Sequence, residues 1–421
     1  MSTLTPTRTD RSALLARYRA NRTRSAQMFA LIDEAAYDER PIPMRHPFVF
    51  YDGHLPAFSF LTLNERALGE TQLDAKLERL FERGIDPASL DSAARLTRHD
   101  WPSRAAVAAF GRACDTRVEA AIMRIPLDDG ASGGRLLQAA YTLLEHEPMH
   151  HETLMYIISR LEPERKQRVA QTHRDPSAPM NELIAVSAGR ATLGASRRTI
   201  PFGWDNEFGE HRVDAGAFRM QRYPITNGDW LRFVGDGGPI PPFWIERDGT
   251  WLLRGTFEHL RLAHSWPVYV SHAQARQYAD WAGMRLPTEV EYHRAAFGTP
   301  EGDERAFPWG DALPTPLLGN FDLARYDPEP VDAHPAGASA WGIHDLVGNG
   351  WEWTDTLFAP FPGFEPMESY PQYSADFFDG KHYVMKGASP VTSRHLIRRS
   401  FRNWFYDDYP YMYAKFRCVA S

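Results

Sequence analysis

The pattern of apolar and turn-forming residues changes near residue 171, and this change constrains the fold more than any other feature. Before it, apolar residues recur every three or four positions with few glycines between them, for example Leu14, Tyr18, Met28 and Ile32. That spacing predicts amphipathic helices, and a four-helix bundle is the simplest way to bury their apolar faces. After it, short β-type runs alternate with Gly, Pro, Asn and Asp. We therefore expect an α+β chain with a helical domain followed by an irregular, loop-rich domain.

The boundary between the two domains is predicted in the segment QTHRDPSAPM, where the helical periodicity stops and two prolines appear. A chain of 421 residues is long for one domain, which agrees with this division. The predicted organisation is a helical bundle over 10–170, a linker over 171–180 and an α+β domain over 181–421. Within the second domain, strands are predicted at 184–186, 266–270 and 383–385, and helices at 226–234 and 271–281.

The composition argues against several classes of function. A net charge of −7 gives no basic field for nucleic acid or anionic membrane. No stretch approaches the ~18 apolar residues of a membrane span, and the N-terminus has no apolar signal core. The two cysteines, Cys114 and Cys418, cannot build a disulfide framework or a cysteine-based metal site, and they suit a reducing compartment. We expect a cytoplasmic protein that acts on small molecules and has neither a nucleic-acid nor a membrane partner.

The densest group of candidate metal ligands is EHEPMHHE at 145–152. His146 and His150 are four residues apart and would lie on one face of a helix, although surface or core histidines in a polar turn are an alternative. The string HEPMH also fits the HExxH pattern of metalloproteases, with Glu147 as general base. Against that interpretation, Pro148 removes a helical hydrogen bond where the motif needs a regular helix.

The other metal interpretation is a three-histidine site completed from elsewhere in the bundle. His54 is the better candidate because it follows Gly53 and opens an apolar helix-like run, whereas His46 precedes a proline, which disfavours helix. Three neutral imidazoles leave an iron's other positions open for substrates and dioxygen, which favours an oxygenase over a hydrolase. Carboxylates in the cluster, Glu152 among them, could orient the imidazoles from behind.

The second half of the chain resembles the formylglycine-generating-enzyme-like (sulfatase-modifying factor) domain over nearly its whole length. The motifs that carry the resemblance are FGWDNE (202–207), YPITNGDWLRFV (223–234), PVYVSHAQARQYADWAGMRLPTEVEYHRAA (267–296), PWGD (308–311), GNFD (319–322), GIHDLVGNGWEWT (342–354), VMKGAS (384–389) and FR (416–417). The resemblance implies a variant of the C-type lectin fold. It also implies that formylglycine chemistry is absent, because those enzymes use a pair of cysteines and the matching stretch 389–404 has none.

The first half is similar to a DinB-type bundle, whose metal motif is matched by His146, His150 and Glu152. A DinB-like bundle joined to this second domain is the architecture of the ergothioneine, ovothiol and selenoneine synthases (EgtB, OvoA and SenA). The resemblance implies a mononuclear non-haem Fe(II) enzyme. Such enzymes use O2 to join sulfur or selenium to an imidazole carbon of histidine, or of its trimethylated betaine, hercynine. It implies iron ligands at His54, His146 and His150.

Two C-terminal segments are expected to form the wall of the substrate pocket. PQYSADFF (371–378) resembles the family segment with a catalytic tyrosine, which implies that Tyr373 supplies a proton. Asn403 and Trp404 match the pair that helps bind hercynine in the ergothioneine enzymes. The resemblance implies a hydrogen bond from Asn403 to the hercynine carboxylate and a cation–π contact of Trp404 with its trimethylammonium group.

The sequence departs from the ergothioneine enzymes immediately afterwards. Where those that use γ-glutamylcysteine carry an aspartate and an arginine, this chain has Phe405 and Tyr409, with Tyr406 between them and no arginine between Asn403 and Arg417. Because the bidentate carboxylate clamp is missing, a neutral selenosugar, the donor of the selenoneine synthases, fits better than a charged dipeptide.

Several alternatives stay open. Cysteine is another donor, with its carboxylate held by Arg398, Arg399 or a residue of the bundle. Unmethylated histidine is another acceptor, because Gly53-His54 is similar to the ovothiol-type pattern. Two rivals come from other classes: a non-catalytic, lectin-like binding module and a DinB-type zinc thiol transferase.

Overall fold

A computed structural model describes residues 10–82, 101–127 and 131–420, apart from the side chains of residues 131–133. The chain divides into two compact units. The first contains Met1–Val169 together with Met367–Pro371, and the second contains Ala170–Pro366 and Gln372–Ser421. A short piece of the C-terminal half therefore belongs to the helical unit. No helix in the described ranges has an apolar stretch long enough to cross a membrane.

The first unit is helical, as predicted. Its helices are α1 (Arg11–Phe29), α2 (Phe48–Phe60), α3 (Ala75–Phe81), α4 (Arg104–Ile122) and α5 (Ala131–Ser159), and α2 continues as a π-helix over Leu61–Ala67. Helix α2 is buried along almost its whole length, as expected for a segment that is apolar on every side. It begins directly after Pro47, so His54 lies in the middle of the helix rather than at the start of the apolar run.

Helix α5 continues through Pro148, so the argument that this proline would disrupt a regular helix was wrong. A proline has no N–H, and the carbonyl four residues earlier, that of Leu144, loses its helical donor. The side chain of Asn21 on α1 replaces that donor, with its Nδ2 at 3.0 Å from the Leu144 oxygen, and Arg17 Nη2 lies at 3.5 Å from the same atom. The proline is tolerated because the neighbouring helix supplies the missing hydrogen bond.

We expect Asn21→Ala to lower the free energy of unfolding by about 1–3 kcal/mol, because it leaves a buried carbonyl without its main donor. Urea unfolding measures the loss, and Thr23→Ala, at an exposed position of the same helix, is the control. In a Pro148→Ala background the helix regains its own N–H, so the loss should shrink. An equal loss in both backgrounds would contradict this explanation.

The second unit is a β-rich α+β domain, and the predicted fold class is confirmed. Its helices are α6 (Asn227–Gly235), α7 (His272–Trp281) and α8 (Glu289–Phe297). Its strands are β1 (Leu183–Val186), β2 (Gly189–Leu193), β3 (His211–Ala215), β4 (Phe218–Gln221), β5 (Trp244–Arg247), β6 (Thr250–Arg254), β7 (His259–Arg261), β8 (Met284–Arg285), β9 (Gly350–Leu357), β10 (His382–Ala388), β11 (Asn403–Tyr406), β12 (Ala414–Lys415) and β13 (Val419–Ala420).

These strands form four small sheets, with the orders β1-β4-β13-β8, β11-β10-β9-β12, β2-β3 and β5-β6-β7. The strand predicted at 266–270 does not form, since this segment makes only a single bridge between Pro267 and Thr226. Proline cannot donate to a ladder, and the following residues bond instead to separate partners: Val268 to Ile225 and Val270 to Ala414. The other two predicted strands lie within β1 and β10, and the two predicted helices are α6 and α7.

The segment 171–180 has no helix or strand, but it is held firmly within the second unit. Asp327 Oδ2 accepts a hydrogen bond from Gln171 Nε2 at 2.9 Å and lies 3.1 Å from His173 Nε2. Asp175 accepts a hydrogen bond from the Ser265 hydroxyl at 2.8 Å. These side-chain hydrogen bonds explain why the predicted linker packs as part of the second unit, which begins at Ala170.

Candidate metal centre

Three histidines of the first unit form a compact cluster. His54 comes from the middle of α2, and His146 and His150 come from successive turns of α5. One nitrogen of each imidazole lies within 4.8 Å of the corresponding nitrogens of the other two. The Nε2 atoms of His146 and His150 are 3.1 Å apart, as expected for an i, i+4 pair whose rings turn towards each other. His46, the other sequence candidate, instead stacks on Phe50 with a centroid separation of 4.0 Å.

The ring of His54 is fixed in one orientation by a backbone hydrogen bond. Its Nδ1 lies 2.7 Å from the carbonyl oxygen of Phe81, the last residue of α3. A carbonyl only accepts, so Nδ1 carries the proton and Nε2 carries the lone pair. The Nε2 atom is buried and has no hydrogen-bond partner among the residues that the structure describes. It is therefore a desolvated lone pair with nothing to bind, as expected of a metal ligand.

Two aromatic rings of α2 stack on imidazoles of the cluster. Phe58 stacks on His146 with ring centroids 3.4 Å apart and planes at 8°. Phe50, one turn before His54 on the same helix, stacks on His54 at 5.2 Å. The positions 50, 54 and 58 follow the i, i+4, i+8 row of a helix, so one face of α2 presents a ligand between two rings that orient the cluster.

The cluster is held in the protonation state that metal binding requires. Burial lowers the pKa of His54 to about 4. Burial, followed by the charges of the neighbouring imidazoles, lowers the pKa values of His146 and His150 well below the usual value for histidine. All three rings are thus neutral near pH 7, the form in which imidazole binds a metal.

The spacing of the cluster also fits a metal ion. Two metal–nitrogen bonds of about 2.1 Å that open at about 90–110° place their nitrogens about 3.0–3.4 Å apart. The 3.1 Å between the Nε2 atoms of His146 and His150 lies within that interval. Together with the unpaired Nε2 of His54, the donor set therefore suits a transition metal that prefers imidazole ligands.

These pKa shifts predict how the stability of the metal-free protein depends on pH. An unfolded histidine takes up a proton near pH 6.5, whereas folded His54 does so only near pH 4. Between these values the unfolded chain binds more protons, so the contribution of His54 to stability falls as the pH falls from about 6.5 to about 4 and changes little below that. A shift of about 2.5 pKa units corresponds to about 3 kcal/mol for His54 alone.

Urea unfolding of the metal-free protein at about pH 7 and about pH 5 measures this loss of stability. His54→Gln removes the titrating ring, so the variant should lose clearly less stability between the two pH values than the parent protein. Equal losses in the two proteins would contradict the assignment.

Glu147 does not serve the cluster. Its Oε1 accepts hydrogen bonds from Arg22 Nη1 at 2.7 Å and from the Ser25 hydroxyl at 2.5 Å. This oxygen is thereby engaged in a buried contact between α1 and α5, which weighs against Glu147 as the general base of a metalloprotease. Glu152, predicted to support the ligands from behind, is buried on α5, and its role stays a prediction.

A tyrosine that the sequence analysis did not single out lies beside the cluster. Tyr370 belongs to the segment Met367–Pro371 of the helical unit. Its ring packs edge-on against Phe58 at 5.3 Å and against His146 at 6.2 Å. The neighbouring Ser369 hydroxyl forms a 2.8 Å hydrogen bond with Thr142 of α5, which fixes this segment. The only signal in the sequence was a second tyrosine three residues before Tyr373.

The predicted catalytic residue Tyr373 lies in the second unit. It stacks on Trp204 with a centroid separation of 3.9 Å and meets the edge of Trp404 at 5.2 Å. The backbone beside it is anchored because the Ser374 hydroxyl donates a short hydrogen bond to Asp205. The motif FGWDNE thus serves as a platform for the segment that carries Tyr373.

The predicted substrate-binding residues fall into two groups, because successive side chains of a strand point to opposite faces. Trp404 and Tyr406 share one face of β11. Trp404 stacks on Phe358 at 4.1 Å with the rings at 6°, and Tyr406 packs on His382 at 4.0 Å. Tyr373, which contacts Trp404, belongs to this first group.

Asn403 and Phe405 lie on the other face of β11. Phe405 stacks on Tyr409 at 4.6 Å, and Tyr409 meets the edge of Tyr411 at 5.3 Å. The backbone N–H of Trp404 donates to Asn403 Oδ1 at 2.9 Å, which leaves the Asn403 amide group as a donor. Phe405 and Tyr409 thus form part of an aromatic stack at the positions where the sequence analysis noted the absence of a charged clamp.

The arginines of the preceding segment are engaged with carboxylates. Arg398 forms two hydrogen bonds with Glu207, of 2.7 and 2.5 Å, and Arg399 lies 3.5 Å from Glu304. A guanidinium that already forms a bidentate pair with one carboxylate has little capacity to bind a second carboxylate. The contacts therefore weaken the alternative in which Arg398 binds the carboxylate of a cysteine donor.

Comparison with known proteins agrees with this division of the chain. Residues 168–421 match the sulfatase-modifying factor enzyme 1-like domain, and residues 17–154 match the DinB superfamily. The hercynine oxygenases of Mycolicibacterium smegmatis and Mycobacterium tuberculosis are 36% and 40% identical over 62% and 52% of this chain, and over 67% and 55% of their own lengths. Ergothioneine biosynthesis protein 1 of Schizosaccharomyces pombe is 28% identical over 90% of this chain and 52% of its own.

The chain thus spans about half to two thirds of the length of these curated relatives. Both of its domains are accounted for by the matches, in the order that the sequence motifs predicted. This chain belongs to the family of sulfatase-modifying factor enzyme 1-like proteins, in the EgtB group, which joins a DinB superfamily domain to that domain.

Proposed function

We propose that this protein is an Fe(II)- and O2-dependent oxygenase that joins a selenium or sulfur nucleophile to the imidazole ring of hercynine. The observation that supports it best is the cluster of three neutral histidines, two of them buried and His150 partly so, with the spacing of metal ligands. The name hercynine oxygenase, which the relatives from Mycolicibacterium smegmatis and Mycobacterium tuberculosis carry, supports the choice of acceptor.

The reaction balances without a further reductant. The imidazole loses a C–H hydrogen and the donor loses its Se–H or S–H hydrogen as the new bond forms. One oxygen atom of O2 ends on the chalcogen as a selenoxide or sulfoxide, and the other leaves as water. Two of the four electrons come from bond formation and two from oxidation of the chalcogen.

Iron, when bound by His54, His146 and His150, supplies the electron transfer between the organic substrates and dioxygen. The protein's own side chains bind the substrates and move protons. The Asn403 amide would hold the hercynine carboxylate, and Trp404 would enclose its trimethylammonium group, a cation–π contact worth roughly 0.5–2 kcal/mol. Because the two side chains lie on opposite faces of β11, which is an edge strand, hercynine would reach both only at the edge of that strand. A tyrosine hydroxyl, at Tyr373 or Tyr370, would supply the proton.

For the donor, we favour a neutral selenosugar over γ-glutamylcysteine. The supporting contacts are the aromatic stack of Phe405 and Tyr409 and the engagement of Arg398 with Glu207. A dipeptide with two carboxylates would need cations that these positions do not offer, whereas a sugar ring packs well on aromatic faces.

A product analysis tests the proposal and its alternatives together. Anaerobic protein loaded with Fe(II) is given hercynine, or histidine, with selenoglucose, cysteine or γ-glutamylcysteine, and O2 is then admitted. We expect a hercynine–selenosugar selenoxide by mass, with consumption of O2. Coupling to γ-glutamylcysteine alone would refute the sugar donor, and coupling to histidine alone would refute the acceptor.

Metal analysis and the O2 dependence of turnover, measured on the same iron-loaded preparation, distinguish the proposed oxygenase from the two rival classes. A lectin-like binding module predicts no stoichiometric metal after purification with iron. A zinc thiol transferase predicts turnover without O2, whereas the proposed oxygenase must consume it. Stoichiometric iron together with strictly O2-dependent turnover would exclude both rivals.

A further inference from the structure

Gly53 is an unusual residue for its position. It lies in the interior of α2, buried, directly before His54. A glycine in a helix interior costs about 0.5–1 kcal/mol relative to alanine, because it fixes a very flexible backbone. No turn or cap requires it here, since the helix continues for seven residues beyond it. The reason for the glycine must therefore lie in what approaches this point of the helix.

The ring of Phe81 occupies the space that a side chain at residue 53 would fill. A Cβ atom built on Gly53 would lie 2.5 Å from both Cε1 and Cε2 of Phe81, far inside van der Waals contact. The ring cannot easily move aside, because it is fully buried and packs near Phe50 and Phe110, with centroids 6.3 and 6.1 Å away. An alanine at residue 53 would therefore push the end of α3 away from α2.

The end of α3 is also where His54 finds its hydrogen bond. The Phe81 carbonyl lies 2.7 Å from His54 Nδ1. It belongs to the last turn of α3, where carbonyls have no partner within their own helix. The same residue thus contacts Gly53 through its ring and His54 through its backbone. A displacement of α3 by even about 1 Å would lengthen this hydrogen bond beyond its useful range.

The geometry points to Gly53 as a positioning residue for the metal: its missing side chain lets Phe81 approach α2 closely enough to hold His54 with Nε2 directed at the cluster. This inference rests on the proposed metal site. A hydrogen bond from the distal nitrogen of a ligating histidine fixes its tautomer and orientation, and losing it typically weakens metal affinity about 10–100-fold.

The test is metal affinity, measured on the full chain by competitive titration of Co(II), whose visible absorption also reports the ligand geometry. We expect Gly53→Ala to raise the dissociation constant at least about tenfold and to alter the Co(II) spectrum. Gly111→Ala is the matched control: it is also a buried helical glycine of this unit, but its added Cβ would meet Pro56 at an ordinary 3.4 Å. Its affinity should equal that of the parent protein.

A rescue variant separates positioning from general damage. Phe81→Leu shortens the side chain but leaves the carbonyl, so Gly53→Ala/Phe81→Leu should recover most of the affinity. If Gly53→Ala does not fold, Phe81→Trp, which overfills the same contact from the other side, should weaken the metal in its place.

Parent-like affinity in Gly53→Ala would overturn the inference, as would an equal loss in Gly111→Ala or a failed rescue. A parent protein that binds no Co(II) or Fe(II) would instead overturn the proposed metal site itself, which is a separate result.

Discussion

His146→Ala should yield a folded protein that binds no stoichiometric iron and has no detectable turnover. The substitution removes one of three imidazoles, and the remaining pair lies on two different helices, α2 and α5. Two neutral nitrogens without the third hold a divalent ion weakly. Because the proposed reaction needs the metal for its electron transfer, loss of iron and loss of turnover should occur together.

The measurements are iron content after anaerobic loading, O2 consumption with both substrates, and the circular dichroism spectrum of the metal-free variant. His46→Ala is the matched control, because His46 packs on Phe50 in the same region but does not contribute to the cluster. It should keep a full equivalent of iron. A fully active His146→Ala protein would remove the site from the mechanism, and an iron-free His46→Ala protein would show that packing alone decides metal binding.

Much of this architecture could be predicted from local patterns. The helical periodicity gave the fold class of the first unit, and the i, i+4 spacing of His146 and His150 placed two imidazoles on one face of a helix. The approach of His54 depends on how α2 packs against α5, which no local pattern reports. The apolar run after Gly53 favoured His54 over His46, and the family resemblance then implied the same residue as a ligand.

Other features depend on contacts between distant parts of the chain. Pro148 looked disruptive because the sequence does not show that Asn21, on another helix, satisfies the freed carbonyl. The strand expected at 266–270 failed because its backbone groups find separate partners, although the residues have the right composition. The segment Met367–Pro371 belongs to the helical unit although about 200 residues separate it from the end of α5.

The segment Met367–Pro371 brings a second tyrosine, Tyr370, into question as the proton donor. Tyr373 was predicted from the resemblance, and Tyr370 contacts His146 and Phe58 within the helical unit. Removal of a general acid typically lowers a rate about 10²–10⁴-fold, whereas removal of a hydroxyl that only supports packing changes it little. Because its ring lies beside a proposed metal ligand, we expect Tyr370→Phe to show the larger loss of kcat.

Tyr370→Phe and Tyr373→Phe make the same chemical change three residues apart, so each serves as the control for the other. The readouts are kcat, KM for hercynine, and the distribution of products between coupled selenoxide or sulfoxide and oxidised donor. A variant without its proton donor should consume O2 but shift towards uncoupled oxidation of the selenium or sulfur donor.

Tyr373 packs on Trp204 and Trp404, so a role in substrate binding would raise the KM of Tyr373→Phe with kcat retained. A larger loss of kcat in Tyr373→Phe would return the role to the residue that the resemblance implied. Unchanged rates and products in both variants would remove tyrosine from the proton transfer, because phenylalanine keeps the ring contacts and lacks only the hydroxyl.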